Sequence, residues 1–417
     1  MATAPKPIPI FSTGETFYVP QFEVYVSGKL LADSIVDDVL QVTFQDEVNK
    51  IDTFSMEINN WDATFRAFKF APPLQNQLVD YSGVFDPGNK IEIWMGYQDN
   101  MRRMMRGTIT TISPQFSQSA PPTLTISGLN ELQDYRTQQH TYSWNDGSKT
   151  DTQIAQQMCG WSEQPGQPGL GGLPIITNPM QNEQPDPIVY MKTQYDIMFL
   201  LERARRRGYE VYIKNQQSGP ALYFGLSGNA ANVPVYRLEW GKSIISFTPT
   251  LATGKQVSQV TVRGWDRKAN SAINETCTQQ QLWQSQGKSP QEIARLTQIA
   301  QAYSNRSEVV TDRPMHTTAE AQAYAQSVLD KRSKELITAN VTTLGLPDLR
   351  AGSTIEIIGF GVTTSQKGKL QGASSDFDGE YYVTASTHTI GDGGYQTEFS
   401  ARREGPVKGL PVAAAST

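Results

Sequence analysis

Between Phe22 and Gly128 six stretches alternate apolar and polar positions: FEVYVSG, VLQVTF, TFSMEIN, KIEIWMGY, RMMRGTITTI and TLTISG. Leu40, Val42 and Phe44 share one parity, as do Phe54, Met56 and Ile58, and again Ile91, Ile93 and Met95. A period of two with one apolar face marks half-buried strands. Such strands, joined by turns, predict a small barrel or sandwich over residues 21–145. Residues 1–20 are Pro-rich, lack periodicity and read as an arm.

The period then changes. TDTQIAQQMCGW, from Thr150, places Ile154, Ala155 and Met158 on one helical face, with Gly160 past the end. The Gly-, Pro- and Gln-rich run from Ser162 to Pro187 is long enough to argue against a packed element there. TQYDIMFLLERARRRGYEVYI reads as a helix followed by a strand. Thr193 is its expected cap, Asp196 sits in the first turn, and Ile197, Leu200, Leu201 and Ala204 form the buried stripe. Gly208 is the stop, and Tyr209–Ile213 the strand. Residues 146–240 are therefore expected to form an α/β unit.

From Trp240 the alternation returns in SIISFTPTL and VSQVTVRGWD. A polar helical insert, residues 271–337, interrupts it. One of its helices carries Pro290 at the first position and a capping box of Ser289 with Glu292; the next is capped by Thr317 with Glu320. TANVTTL, STIEIIGF and a closing hairpin follow, so that 241–403 read as a second barrel split by helices and 404–417 as a flexible tail. In the hairpin, Tyr381, Val383 and Ala385 alternate with polar residues, as do Tyr395, Thr397, Phe399 and Ala401. Pairing Thr389 with Tyr395 sets Ala385 against Phe399 and Val383 against Ala401. His388 then falls on the polar face beside the turn, opposite Gln396. There it reads as a hydrogen-bonding surface residue rather than a general base or ligand.

Composition narrows the classes. Charged residues are 18% and the net charge is −5, which gives no bulk attraction to nucleic acid. Cys159 and Cys277 are too few for a disulfide framework and suit a reducing compartment. MATAPKPIPIF lacks the apolar core of a signal peptide, and the apolar run Ile197–Leu201 is far below the ~18 residues of a membrane helix. A soluble protein without a cleaved signal is expected.

Chemistry-bearing motifs are scarce. Arg203, Arg205, Arg206 and Arg207 suit a solvated helix C-terminus, where cations meet the dipole, or a contact with an acidic partner. Asp376, Asp378 and Glu380 in DFDGE lack the later ligands of a calcium loop. Gly359–Gly361 has no third glycine before a helix and reads as a strand end. His140 and His316 stand in polar segments. No nucleophile, base and orienting group assemble, so no catalytic residue, no metal ligand and no cofactor is expected.

Four stretches carry a resemblance: SIISFTPTLATGKQVSQVTVRGWDRKAN, TTAEAQAYAQSVLDKRSKEL, GLPDLRAGSTIEIIGFG and GEYYVTASTHTIGDGGYQTEFSARR. The ordered landmarks are Gly264, Trp265 and Asp266; an alanine-rich helix; the turn Leu346, Pro347, Leu349 and Gly352; Tyr381 and Val383; then His388, Tyr395 and Phe399. In this order the chain resembles the phage late control gene D family. That family includes hubs of contractile phage tails, the hub half of type VI secretion spike proteins, and hubs of extracellular contractile injection systems. The match covers residues 190–403 by motif and 20–145 by texture.

The resemblance implies a mainly β fold with α+β parts, holding two tube-protein-like barrels per protomer. It implies a homotrimer joining a hexameric inner tube to a trimeric spike, with other baseplate proteins as neighbours and neither a membrane nor specific nucleic acid as partner. Assembly would occur in the cytoplasm before the chain joins the particle. Fused family members continue into a spike; this sequence ends soon after Arg403, which implies a separate spike protein. Two other classes stay open: a hub-associated cell-wall hydrolase and a carbohydrate-binding β protein.

Overall fold

The computed structural model describes residues 8–9, 19–70, 83–98, 100–145, 147–161, 166–180, 183–186, 188–216, 219–227, 236–267, 269–285, 290–301, 305–311, 315, 317–360, 363–366, 369–372 and 377–404. The fold is mainly β with α+β parts. Its spine is a 14-stranded sheet.

The six alternating stretches near the N-terminus form strands Pro20–Val26, Val39–Glu47, Thr53–Asn59, Lys90–Tyr97, Asn100–Gln115 and Thr123–Asn130. Their apolar parity packs a first core that includes Val42, Phe44, Phe54, Met56, Ile58, Ile91, Ile93 and Met95. Leu40 departs from the expectation at 39% exposure. A register shift between Val39 and Gln41 turns it outward.

Ile244–Leu251, Ile337–Leu344, Thr354–Ile358 and the closing hairpin Gly379–Gly391 with Gly394–Arg403 carry a second core, which includes Ile337, Val341, Leu346, Leu349, Ile355, Tyr381, Val383 and Phe399. The two halves share one sheet. Strand Gly379–Gly391 pairs through its first residues with Thr354–Ile358 and through Ala385–Gly391 with Val39–Glu47.

A bulge between Val383 and Ala385 makes this sharing work. The extra residue reverses the inward parity of the strand. Before it, Tyr381 and Val383 face the second core; after it, Ile390 faces the first, together with Tyr395. The expected unbroken alternation is corrected here. Thr389 pairs with Gln396, Ser386 with Phe399 and His388 with Thr397.

Strand Gln259–Asp266 lies outside the large sheet, between Ser271–Thr278 and Ser307–Val310. The stretch 271–337 thus supplies strands as well as helices. Helix Thr318–Lys334 covers this small sheet with Ala321, Ala325 and Leu329 over Val260, Val262 and Ile273. Thr317 caps that helix by accepting from the Glu320 N–H. Pro290 opens helix Pro290–Ala300, while the Ser289 and Glu292 box lies outside the described side chains.

In the middle segment Thr150 and Gln153 form a capping box for helix Asp151–Gly160, whose last residue is Gly160. Helix Asp196–Arg207 buries Ile197, Leu200, Leu201 and Ala204 and ends on Gly208 at φ +71°. Its N-cap is Tyr195; Thr193, the expected cap, belongs to strand Val189–Tyr195. The Gly- and Pro-rich run is not an unpacked loop. Leu170 and Leu173 are buried, and Ile175–Asn178 pairs in parallel with Gly219–Gly225. Within the expected arm, Ile8–Pro9 pairs in parallel with Tyr236–Arg237. No described helix is long and apolar enough to cross a membrane.

Candidate functional site: a buried joint

The Leu-Pro turn brings the two sheet halves together. Leu346 and Leu349 are buried, and the Leu346 N–H donates to Thr397 Oγ1 at 2.9 Å. The Gly352 N–H donates to the Val383 carbonyl at 2.9 Å. Gly352 sits at φ +86°, and a Cβ there would lie 2.1 Å from Tyr212 Cζ, so glycine is required on both counts. The family landmarks Leu346, Pro347, Gly352, Val383, His388 and Tyr395 therefore converge. Tyr381 and Phe399 line the adjoining core.

His388 is not on a polar surface: its exposure is 0%. The bulge places it on the inward parity, beneath the turn. Nε2 donates to the Leu349 carbonyl at 2.9 Å, and Nδ1 accepts from Tyr395 at 3.0 Å and Thr397 at 3.1 Å. A neutral ring with its proton on Nε2 satisfies this pattern. Burial lowers the His388 pKa to about 3, with Arg350 pushing the same way and Asp46 opposing.

Around the histidine lies an ionic cluster that spans both halves. Asp46, on strand Val39–Glu47, accepts from Arg350 Nε at 2.5 Å, from the Ala351 N–H at 3.2 Å, and from the Ser386 hydroxyl. The Arg350 guanidinium lies 4.4 Å from the Phe44 ring centre. Asp46 continues the inward parity of Val42 and Phe44, which is the signal that sequence reasoning passed over.

The middle segment locks onto the same place. Asn49 exchanges hydrogen bonds with Val211: its N–H donates to the Val211 carbonyl at 2.8 Å, and its Oδ1 accepts from the Val211 N–H at 2.9 Å. Glu210 accepts from Arg402 at 2.6 Å and from the Tyr382 hydroxyl. Arg402 also donates to Glu404, which accepts from Ser227 at 2.9 Å. Burial works against the charge on Glu404, but Lys334 and Arg402 outweigh it and lower its pKa.

Two further clusters hold the middle segment itself. Arg203 and Arg207 are buried, not solvated; both pair with Asp151 at 2.5 Å, and Arg207 with Asp186 at 2.7 Å. Burial disfavours the Arg207 cation, yet Asp151 and Asp186 prevail and raise its pKa. Arg205 and Arg206 alone match the expected exposed helix end. His140, which reads as an isolated polar residue, is buried with Nδ1 2.8 Å from Asp196. Asp196 also accepts from the Gly169 N–H at 2.8 Å, tying the Gly/Pro run to the helix.

The remaining landmarks lie elsewhere. Gly264 approaches Met315 so closely that a Cβ would come within 2.6 Å of the Met315 Cβ. Asp266 accepts from the Ala269 N–H at 2.9 Å, and Trp265 is 52% exposed. Gly359 ends its strand at φ +104°, as read from the sequence. Asp378 accepts from the Phe360 N–H at 3.0 Å. His316, Gly361 and Asp376 lie outside the described residues. Among the described residues no group of three or more His, Cys, Asp or Glu could hold a metal.

A family model described as the Alg8 N-terminal domain matches residues 17–392. The chain belongs to that family. Curated proteins give no significant match. Among solved structures, the chain is similar to the 43 kDa tail protein of prophage MuSo2 from Shewanella oneidensis, with TM-score 0.59 and 15% identity over 92% of this chain and 98% of that one. It is similar to a tail protein from Neisseria meningitidis MC58, with TM-score 0.60 and 14% identity over 94% and 100%. A type VI secretion component from E. coli, itself described as similar to T4 tail proteins, follows at TM-score 0.53 and 10% identity over 94% and 79%. The fold is that of phage tail proteins, in agreement with the resemblance drawn from the motifs.

Proposed function

We propose that this chain is a baseplate hub of a contractile tail or injection machine. In this reading it forms a trimer that adapts a hexameric inner tube to a trimeric spike carried on a separate chain. The observation that carries the reading is the division of one continuous sheet into two halves, each with its own core and joined by a shared hairpin. In this reading each half of a protomer presents one edge to the ring. Three copies in a ring offer six, which resolves the mismatch between threefold and sixfold partners. The likeness to prophage tail proteins over nearly the whole of both chains supports it.

On this proposal the chain works by binding and not by chemistry. Its buried histidines and carboxylates are closed by structural partners: His388 by Leu349 and Tyr395, His140 by Asp196, and Asp151 by two arginines. The two halves, the middle segment with its Gly/Pro run and the small sheet act as separate working units of one protomer. The exposed Trp265 is the surface position we assign to neighbouring baseplate proteins.

Native mass spectrometry tests the assembly. The full chain, alone or mixed with the spike protein of the same particle, is expected to give complexes holding three copies. A monomer under both conditions overturns the trimer.

A further inference from the structure

We infer that the open face of the small sheet, centred on Trp265 and Arg263, docks an acidic protein surface of a neighbouring baseplate chain. The inference rests on the baseplate reading and names the chemistry of one partner within it. Successive side chains of strand Gln259–Asp266 alternate between its two sides. Val260 and Val262 face helix Thr318–Lys334, and Gly264 meets Met315. Thr261, Arg263 and Trp265 fall on the opposite side. Asn274 and Ala272 pair with Arg263 and Trp265 across one edge of the strand, and Val309 pairs with Thr261 across the other. Trp265 is 52% exposed and Val309 50%, and Arg263, Ala272 and Asn274 are exposed with them. Ala272, the cross-strand neighbour of Trp265, is too short to cover the indole.

The sheet sorts its charges by side. Glu275 pairs with Val262 and Glu308 with Val260, so both carboxylates share the helix side, where Glu308 accepts from Arg332 at 3.1 Å. Asp266 has the same parity and accepts from the Ala269 N–H. Among the described residues the open face of these three strands carries no carboxylate. Arg263, and Arg267 in the turn just beyond the strand, are exposed, and neither has an ion-pair partner among the described residues. An indole and an unpaired guanidinium thus stand about 7 Å apart along one strand. Trp and Arg are the side chains that most often anchor protein interfaces. Together they fit a partner that offers an apolar contact beside a carboxylate, which a guanidinium can hold with two parallel hydrogen bonds. A folded acidic surface fits better than nucleic acid. The chain carries a net charge of −5, which opposes a long polyanion. A carboxylate docked on Arg263 instead lies well inside the screening length of about 8 Å and feels the local cations first.

The test places a photo-crosslinking amino acid at Ala272, which leaves Trp265 and Arg263 intact, in assembled particles, and reads the linked peptide by mass spectrometry. A link to a different baseplate chain, at a segment holding Asp or Glu, is expected. Arg263→Glu brings like charges together and is expected to cut the yield of that link on the order of tenfold. A lysine in place of the linked carboxylate is expected to restore the yield in R263E. Trp265→Ala, which keeps the charge and removes the apolar anchor, is expected to lower the yield as well. Arg263 makes no ion pair within the chain, so R263E is expected to keep the wild-type melting midpoint. Wild-type yield in R263E, no rescue by the lysine, or a link to a segment without carboxylates, to a second copy of this chain or to nucleic acid overturns the inference. Native mass spectrometry separates this result from the hub reading. Three copies with the link unaffected by R263E refute the docking site alone, whereas a wild-type monomer with and without spike refutes the hub reading whatever the cross-links show.

Discussion

Gly345 lies face-on against the ring of Tyr395: a Cβ at position 345 would come within 2.0 Å of Tyr395 Cγ. The Gly345 N–H donates to the Tyr395 carbonyl at 2.9 Å, and the Gly345 carbonyl accepts from the Tyr97 hydroxyl at 3.0 Å. One glycine thus links the second half to the hairpin and to the first core. Gly345→Ala is expected to force the ring aside at a cost of about 1–3 kcal/mol, read as a lowered midpoint in urea. An unchanged midpoint would show that the turn packs differently.

His388→Ala removes the acceptor for two hydroxyls and the donor to Leu349 from a site with no access to water. The expected loss is about 2–4 kcal/mol near neutral pH. There is a second signature in acid. The folded pKa of about 3 lies below the ordinary 6.5, so the unfolded chain takes up the proton first. Wild-type stability therefore falls as pH drops from 6.5 towards 3, and this part of the decline is missing in the variant. Parallel acid curves for the two proteins would place His388 in contact with solvent.

The four-residue ion network of the middle segment gives a sharper contrast. Asp151→Ala leaves Arg203 and Arg207 buried against Asp186 alone and is expected to cost about 3–5 kcal/mol. Replacing all three residues, D151L with R203M and R207M, is expected to recover much of that loss. Fluorescence follows the change locally, since Trp144 and Trp161 stack in this core at 6.3 Å between ring centres. If D151A melted with wild type, the arginines would be solvated after all.

Strands with a strict period of two were legible in the sequence, because their faces are set by side-chain alternation alone. Phe54, Met56 and Ile58, or Ile91, Ile93 and Met95, could be placed without tertiary information. The joint was not legible, because a single bulge near Thr384 reverses which residues face inward and nothing local announces it. His388 was therefore assigned to the polar face. The buried ionic residues were missed for a related reason. Arg203 and Arg207 look like an ordinary helix end until Asp151 and Asp186 arrive from segments distant in sequence. Asp46 alone left a trace, a carboxylate on the apolar parity of its strand.

The adaptor role is tested most directly by cross-linking mass spectrometry on assembled particles. The account predicts cross-links from residues of both sheet halves to the inner tube protein, and from the opposite side of the ring to the spike. An adaptor interface able to hold the tube is expected to bury more than about 1,000 Å² per pair. Cross-links from both halves only to an outer sheath or a cell-surface receptor, with none to tube or spike, would contradict it.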